Sequence, residues 1–333
     1  MTAPKIAVIG AGGWGTALSL IWSKQGRDIS LWARDPTRLE KLRQSRENTA
    51  YLPGVKLPDT VGLTSDLRAC VDADLIVFVT PSTALREAAA EVQSLTIRPD
   101  AALLSCIKGI EHGTGKRMSE ILMEAFPENH VAVLSGPNLA AEVARELPTA
   151  TVLACYSSEI AANLQRYLST PRFRIYTGEE IAGVELGGAL KNIFAIAAGA
   201  GDGLGLGDSS KAALVTRALA EMVRLGTKMG GELRTFYGLS GAGDLVATCF
   251  SQRSRNRQVG EHLGRGRSLD GIVSSMGTIA EGIPTAKSAY QCARELGVDT
   301  PIIDQVYSLL YEGKPAARAM EELLQRDQKA EVG

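Results

Sequence analysis

Four stretches of this 333-residue chain carry residues whose types and spacing could do chemistry. The first is Gly10-Ala-Gly12-Gly13-Trp14-Gly15, a G-x-G-x-x-G pattern. Gly10 suits a tight turn, Gly12 lets the backbone approach a pyrophosphate, and Gly15 lets a helix pack closely on a strand. The N–H groups and positive end of the helix that follows would face the phosphates. The second, Glu185-Leu-Gly-Gly-Ala-Leu-Lys191-Asn192-Ile-Phe-Ala-Ile, sets one lysine in an otherwise apolar helical stretch. Such a lysine either snorkels to the surface from a core helix or is a desolvated amine with a pKa useful for acid–base work. Gly187 and Gly188 favour the amine, because glycines inside a helix cost stability and permit close packing or a ligand.

The third stretch, Ser240-Gly-Ala-Gly-Asp244-Leu-Val-Ala-Thr248, puts Asp244 and Thr248 on one face if it is helical. A helix cap is the simplest structural role for Asp244. The fourth, Gln252-Arg253-Ser254-Arg255-Asn256-Arg257, is dense in cations and hydrogen-bond donors. It is either a solvated basic loop or a site for one phosphate or carboxylate. It lacks the interleaved aromatics of a single-stranded nucleic-acid platform. Ser135-Gly136-Pro137-Asn138 and Lys108-Gly109 each follow a predicted strand, where open α/β sheets bind ligands. Other motifs fail in detail. Gly109–Lys116 is one residue too long for a P-loop, and Gly238–Ala242 lacks the last glycine of a serine-hydrolase elbow. His112, His130 and His262 have no metal-ligand spacing, so no metal is expected.

The elements that must hold these residues follow from periodicity. Lys5–Ile9, Ile29–Trp32, Leu75–Val79, Ala101–Cys106, Val131–Leu134, Thr149–Ala154 and Arg172–Tyr176 read as strands. Their continuous apolar runs alternate with helical stretches, which predicts a mainly parallel sheet covered on both faces. A helix is expected from Gly13 to about Gln25, and Asp35-Pro36 opens another, with Asp35 a candidate N-cap. Beyond Gly178 strand signals cease and helices are expected over 179–200, 209–229, 283–296 and 301–311. The expectation is an α/β Rossmann-type domain over residues 1–183 and an all-α substrate-binding and catalytic domain over 184–333. At the end of the second strand Arg34 suits the 2′-phosphate of NADPH, whereas a carboxylate there would suit NADH.

Bulk properties narrow the class. A net charge of −1 provides no global field for nucleic acid or anionic membranes. The five cysteines are scattered without a C-x-x-C pair, and the N-terminus lacks a signal-peptide pattern. The reading is a cytoplasmic oxidoreductase without nucleic acid or membrane insertion.

The chain resembles the bacterial NAD(P)-dependent glycerol-3-phosphate dehydrogenase family. The likeness is carried in order by Gly-Ala-Gly-Gly-Trp-Gly-Thr-Ala-Leu (10–18), Tyr51-Leu-Pro-Gly-Val, Lys108-Gly-Ile-Glu, Ser135-Gly-Pro, Val184-Glu-Leu-Gly-Gly-Ala-Leu-Lys-Asn, Gly241-Ala-Gly-Asp-Leu, Ser254-Arg-Asn-Arg and Glu281-Gly. The resemblance implies reversible reduction of dihydroxyacetone phosphate to sn-glycerol 3-phosphate for phospholipid synthesis, by a homodimer. It implies NADPH/NADP or NADH/NAD as cofactor, with Arg34 leaning towards NADP. Lys191 would then exchange the proton at the substrate oxygen, with Lys108 and Asp244 holding and polarising the substrate. Gly136, Asn138, Ser254, Arg255 and Asn256 would contact substrate. Gly10, Gly12, Gly13, Trp14, Gly15, Arg34, Lys108, Ala140, Arg255, Ile279 and Glu281 would contact cofactor. Two departures stand out. Asn138 replaces the family's usual Ser or Thr, and Asp35 follows Arg34 where some relatives have a second basic residue. A related 3-hydroxyacid or ketoacid dehydrogenase would lack need for the anion cluster. A non-catalytic dinucleotide sensor would need neither that cluster nor a buried lysine.

Overall fold

A computed structural model describes residues 4–277, 280–328 and 330–331. Among these, eight strands form one sheet: β1 (Lys5–Ile9), β2 (Asp28–Trp32), β3 (Val61–Thr64), β4 (Leu75–Phe78), β5 (Ala102–Ser105), β6 (Val131–Ser135), β7 (Thr149–Cys155) and β8 (Phe173–Gly178). Their order is β3-β2-β1-β4-β5-β6-β7-β8. Every neighbouring pair is parallel except β6 and β7. The first six strands therefore have the doubly wound order whose direction of winding reverses between β1 and β4, opening a crevice at their carboxyl ends.

The apolar runs work because both faces of the sheet are covered. Ile6 and Val8 of β1 point into one cluster with Leu18, Ile21 and Trp22 of α1 (Gly13–Ser23), Leu42 of α2 (Pro36–Ser45) and Leu164 of α6 (Ser158–Leu168). Ala7 and Ile9 point the other way, towards Leu85 and Val92 of α3 (Leu85–Gln93) and Ile121 and Leu122 of α4 (Met118–Ala125). The short helix α5 (Ala140–Val143) packs with the first of these clusters through Val143. The expected strands all form. β3 was not expected; its four residues include Gly62, and pairing with β2 supplies the order that its composition does not.

The rest of the described chain is helical: α7 (Ile181–Gly203), α8 (Asp208–Lys228), α9 (Asp244–Phe250), α10 (Arg255–Gly264), α11 (Leu269–Met276), α12 (Gly282–Glu295), α13 (Pro301–Tyr311) and α14 (Ala316–Leu324). α7 is long and apolar enough to cross a membrane, yet it is buried within the protein. Its first turn places Ile181 and Val184 against Val133 and Ala154 of the sheet. Its remainder buries Leu190, Ile193, Phe194 and Ile196 at the centre of the helical core. Each such side chain contributes about 1.5–3 kcal/mol of transfer free energy.

Glycines let α7 and α10 touch backbone to backbone. A Cβ added to Gly260 would stand 1.9 Å from the Ile196 carbonyl oxygen, and one on Gly199 would stand 1.9 Å from that of Arg257. This contact puts Asn192 of α7 beside Asn256 of α10, whose Nδ2 donates to Asn192 Oδ1 at 2.8 Å. Gly260→Ala must push two backbones apart, and we expect it to cost about 3 kcal/mol or more, the upper end for overpacking. Urea denaturation, read against the control Gly207→Ala at an exposed glycine with φ −77° and nothing within 4 Å of an added Cβ, checks this.

Candidate active site

The glycine loop has the geometry its spacing predicts. Gly10 sits at φ 127°, where a Cβ would lie 2.7 Å from the Val79 carbonyl oxygen. Gly15 packs so tightly that a Cβ would lie 2.0 Å from the Gly10 carbonyl oxygen. Gly12 faces open space, with nothing within 4 Å of an added Cβ. It is also the N-cap of α1 and supplies no side-chain acceptor, so the first N–H groups of that helix stay available to a phosphate. These three positions fit a dinucleotide. Asn48, which the sequence did not single out, braces the loop by donating to Ala11 O at 2.9 Å and to Thr16 Oγ1 at 2.8 Å.

Around the loop, Tyr51 O and the Ala140 side chain approach Gly13. Trp14 sets its ring against that of Phe173, 6.2 Å between centroids. Arg34 is half-exposed and paired with Glu87 at 2.9 Å and Glu91 at 3.7 Å. Asp35 caps α2 by accepting from the N–H groups of Thr37 and Arg38. Ile279 lies outside the described residues.

The ends of β5 and β6 meet α7 and α9 at a buried charge cluster. Asp244 lies between two lysines: Lys108 Nζ is 2.5 Å from its Oδ2 and Lys191 Nζ is 3.1 Å from its Oδ1. Lys191 also donates to Thr248 Oγ1 at 2.7 Å, and Thr248 donates to Asp244 Oδ1 at 3.0 Å. The one-face relation of Asp244 and Thr248 is therefore what brings both to Lys191. Lys108 reaches further, donating to the Gly136 carbonyl at 2.9 Å. Lys191 does not snorkel; it is buried among these partners. Asp244 is no N-cap either. It follows the wide-turn segment Leu239–Gly243 and enters α9 already buried.

Burial pushes the Lys191 pKa down to about 8; Asp244 opposes the fall and Lys108 adds to it by like-charge repulsion. For Asp244, burial favours the neutral acid, but the two lysines outweigh it and hold the carboxyl below its ordinary range. An amine close to neutrality beside a fixed carboxylate can both give and take a proton near physiological pH.

The basic stretch after α9 divides rather than acting as one cluster. Arg257 is buried against Asp202 at 2.6 Å and Glu261 at 3.2 Å, and Arg253 reaches Glu142 at 3.7 Å. Ser254 caps α10 through Arg257 N–H, and Asn256 bridges Asn192 and Gly282 N–H. Arg255 alone has neither a hydrogen bond nor an ion pair with a described residue, and it remains accessible to an anion. Glu281 closes the far side, accepting from Ser82 N–H at 3.1 Å and Ser82 Oγ at 2.6 Å. Burial raises its pKa against the pull of Ser82 and Arg255. Asn138 turns its side chain to Ala150 O at 3.0 Å.

With this geometry in view, the comparisons with known proteins are decisive. A family model for the N-terminus of NAD-dependent glycerol-3-phosphate dehydrogenase matches residues 5–161, and its C-terminal counterpart matches residues 180–321. The chain belongs to the NAD-dependent glycerol-3-phosphate dehydrogenase family. A Chlorobium limicola protein named glycerol-3-phosphate dehydrogenase (NAD(P)+) is 47% identical over 331 residues, covering 98% of this chain and 99% of the relative. A Geobacter metallireducens protein of the same name is 47% identical over 99% of both chains. Among solved structures, glycerol-3-phosphate dehydrogenase from Coxiella burnetii superposes with a TM-score of 0.94 at 37% identity, covering 97% of this chain and 99% of that one. Asn48 and Ser82 hydrogen-bond into this region without any signal in the sequence, whereas Thr248 was marked by its spacing from Asp244 and Asn192 by its place beside Lys191.

Removing the carboxylate at the centre should expose how much it holds. Asp244→Asn removes the group that holds Lys191 charged, so Lys191 should shed its proton below pH 8, and the variant is expected to lose about 3–5 kcal/mol at pH values where Lys191 stays an ammonium. The loss should shrink as pH rises towards about 8, because Lys191 then becomes neutral. Urea denaturation of both proteins across that range measures it.

Proposed function

We propose that this enzyme interconverts dihydroxyacetone phosphate and sn-glycerol 3-phosphate with NAD(P), and that Lys191 exchanges the proton. The observation carrying this reading is the buried Lys191–Asp244–Lys108 cluster at the carboxyl ends of β5 and β6. It lies in a member of a family whose relatives bear that enzyme's name. Gly10, Gly12, Gly13, Gly15 and the first turn of α1 would hold the pyrophosphate of a nicotinamide dinucleotide, which when bound would supply hydride for the ketone carbon or accept it from the alcohol carbon. In the reducing direction Lys191, as ammonium, donates a proton to the developing alkoxide. Asp244 keeps that ammonium charged and, with Thr248, aims it. In the oxidising direction the neutral amine accepts the hydroxyl proton, a state favoured by burial and by Lys108.

Arg255 supplies a cation for the substrate phosphate, remote from the reacting carbon, so its binding energy serves orientation. Lys108, Gly136, Asn138, Ser254 and Asn256 shape the substrate side. Trp14, Arg34, Ala140, Arg255 and Glu281 border the cofactor side. Further proposals are a cytoplasmic homodimer that neither enters membranes nor binds nucleic acid, divided into domains at residues 183 and 184. Five free thiols, all buried and none paired, support a reducing compartment.

Loss of reduced-nicotinamide absorbance on adding dihydroxyacetone phosphate, run with each cofactor, tests the reaction. Lys191→Ala should lower kcat by about a thousandfold while sparing cofactor affinity. Near-normal turnover would remove Lys191 from the proton-transfer role. Arg255→Ala should instead raise the substrate KM by about tenfold or more, as expected for a lost charged clamp. The pH profile has a definite sign. Ketone reduction needs the ammonium and should decline as pH rises through about 8, whereas alcohol oxidation should rise through the same range.

A further inference from the structure

Two arginines flank the end of β2, and the structure treats them differently. Arg34 leaves the strand towards α3, where Glu87 at 2.9 Å and Glu91 at 3.7 Å surround its guanidinium with carboxylates. A phosphate brought to Arg34 would meet two like charges beside its one cation. Arg38 lies one turn into α2 and points to the loop after that helix. Its guanidinium donates to the Tyr51 hydroxyl and lies over the Tyr51 ring, 5.6 Å from the centroid. Tyr51 is a neutral partner, so the Arg38 charge is held in place without being cancelled there. Its one carboxylate partner among the described residues is Asp35, whose Oδ2 pairs with Nε at 3.4 Å while Oδ1 caps the Thr37 and Arg38 N–H groups, so Arg38 meets one carboxylate where Arg34 meets two.

Tyr51 connects this arginine to the glycine loop. Its carbonyl oxygen would lie 2.9 Å from a Cβ on Gly13, at the first residue of α1. The Arg38–Tyr51 pair thus forms part of the wall beside the dinucleotide loop, on the β2 side where the adenosine ribose of a bound dinucleotide belongs. A planar guanidinium can take a phosphate monoester through two parallel N–H bonds, and Arg38 keeps donors free for this.

We propose that Arg38, held by Tyr51, is the residue that distinguishes NADPH from NADH by binding the ribose 2′-phosphate. Arg34 serves mainly to tie β2 to α3. This rests on the dinucleotide reading of the glycine loop and names the group that sets its cofactor preference.

Calorimetric titration of adenosine 2′,5′-bisphosphate and of 5′-AMP into the full-length protein tests it apart from turnover. Arg38→Ala should weaken the bisphosphate by about tenfold or more and leave 5′-AMP within about twofold. Tyr51→Phe should weaken the bisphosphate by a smaller factor, because the ring stays and only the anchoring hydroxyl goes. Arg34→Ala should change the two ligands nearly equally. In steady-state assays the KM for NADPH should rise in Arg38→Ala and that for NADH should not. Equal losses for both ligands in Arg38→Ala, or a larger selective loss in Arg34→Ala, would overturn the assignment to Arg38 alone. A wild-type protein that binds neither nucleotide would overturn the dinucleotide reading with it.

Discussion

The carboxylate of Asp244 is the constraint on which the active centre depends. Two lysines from distant parts of the chain converge on it, and burial works against the charge of Lys191. Asp244 balances them and its oxygens divide between them, 2.5 Å to Lys108 and 3.1 Å to Lys191. The balance is incomplete by design of the surroundings: two cations face one anion, so one amine is pushed towards neutrality. Burial and Lys108 make Lys191 that amine. A group with this poise is suited to proton transfer at an oxygen whose charge changes during hydride transfer.

The scaffold exists to hold this cluster next to the dinucleotide loop. α7 begins against the sheet and runs into the centre of the helical core, so a single rigid helix carries Lys191 and Asn192. Glu185, six residues before Lys191, anchors the same helix to α4 through Ser119 N–H at 2.8 Å and Arg117 at 3.0 Å. Close glycine contacts then bring α10 against α7 and place Asn256 at Asn192. From Asn256 the polar contacts pass to Gly282, and neighbouring Glu281 returns to Ser82 beyond β4. The substrate side and the cofactor side are therefore joined by hydrogen bonds as well as by covalent chain.

The glycine loop illustrates how one motif can demand three different things. At Gly10 the demand is a positive φ, at Gly15 it is backbone contact, and at Gly12 it is open room. Only the last concerns a ligand directly. Arg34 illustrates the opposite case: an arginine in the position expected to read a phosphate is surrounded by Glu87 and Glu91, residues more than fifty positions away. Its charge could be counted from the sequence, but its compensation could not.

Local patterning by itself determined the strands, the dinucleotide loop, the Asp35 cap and the helical second half. Each depends on neighbouring residues: apolar runs of strand length, glycine spacing, an Asp-Pro pair. Residue type and spacing marked Lys191, Lys108, Asp244 and Arg255 as candidates, and the resemblance to a family gave them roles. Tertiary structure decided the rest. Whether Lys191 is buried or snorkels depends on what packs around α7. Which arginine of the 253–257 stretch stays free depends on Asp202, Glu142 and Glu261. Asn48, Asn192 and Ser82 gain their importance from partners distant in sequence. The reversed pair β7 and β8 and the short strand β3 likewise depend on pairing with neighbours. Electrostatic compensation and desolvation are set by distances in space, and a linear pattern specifies those distances only within one element.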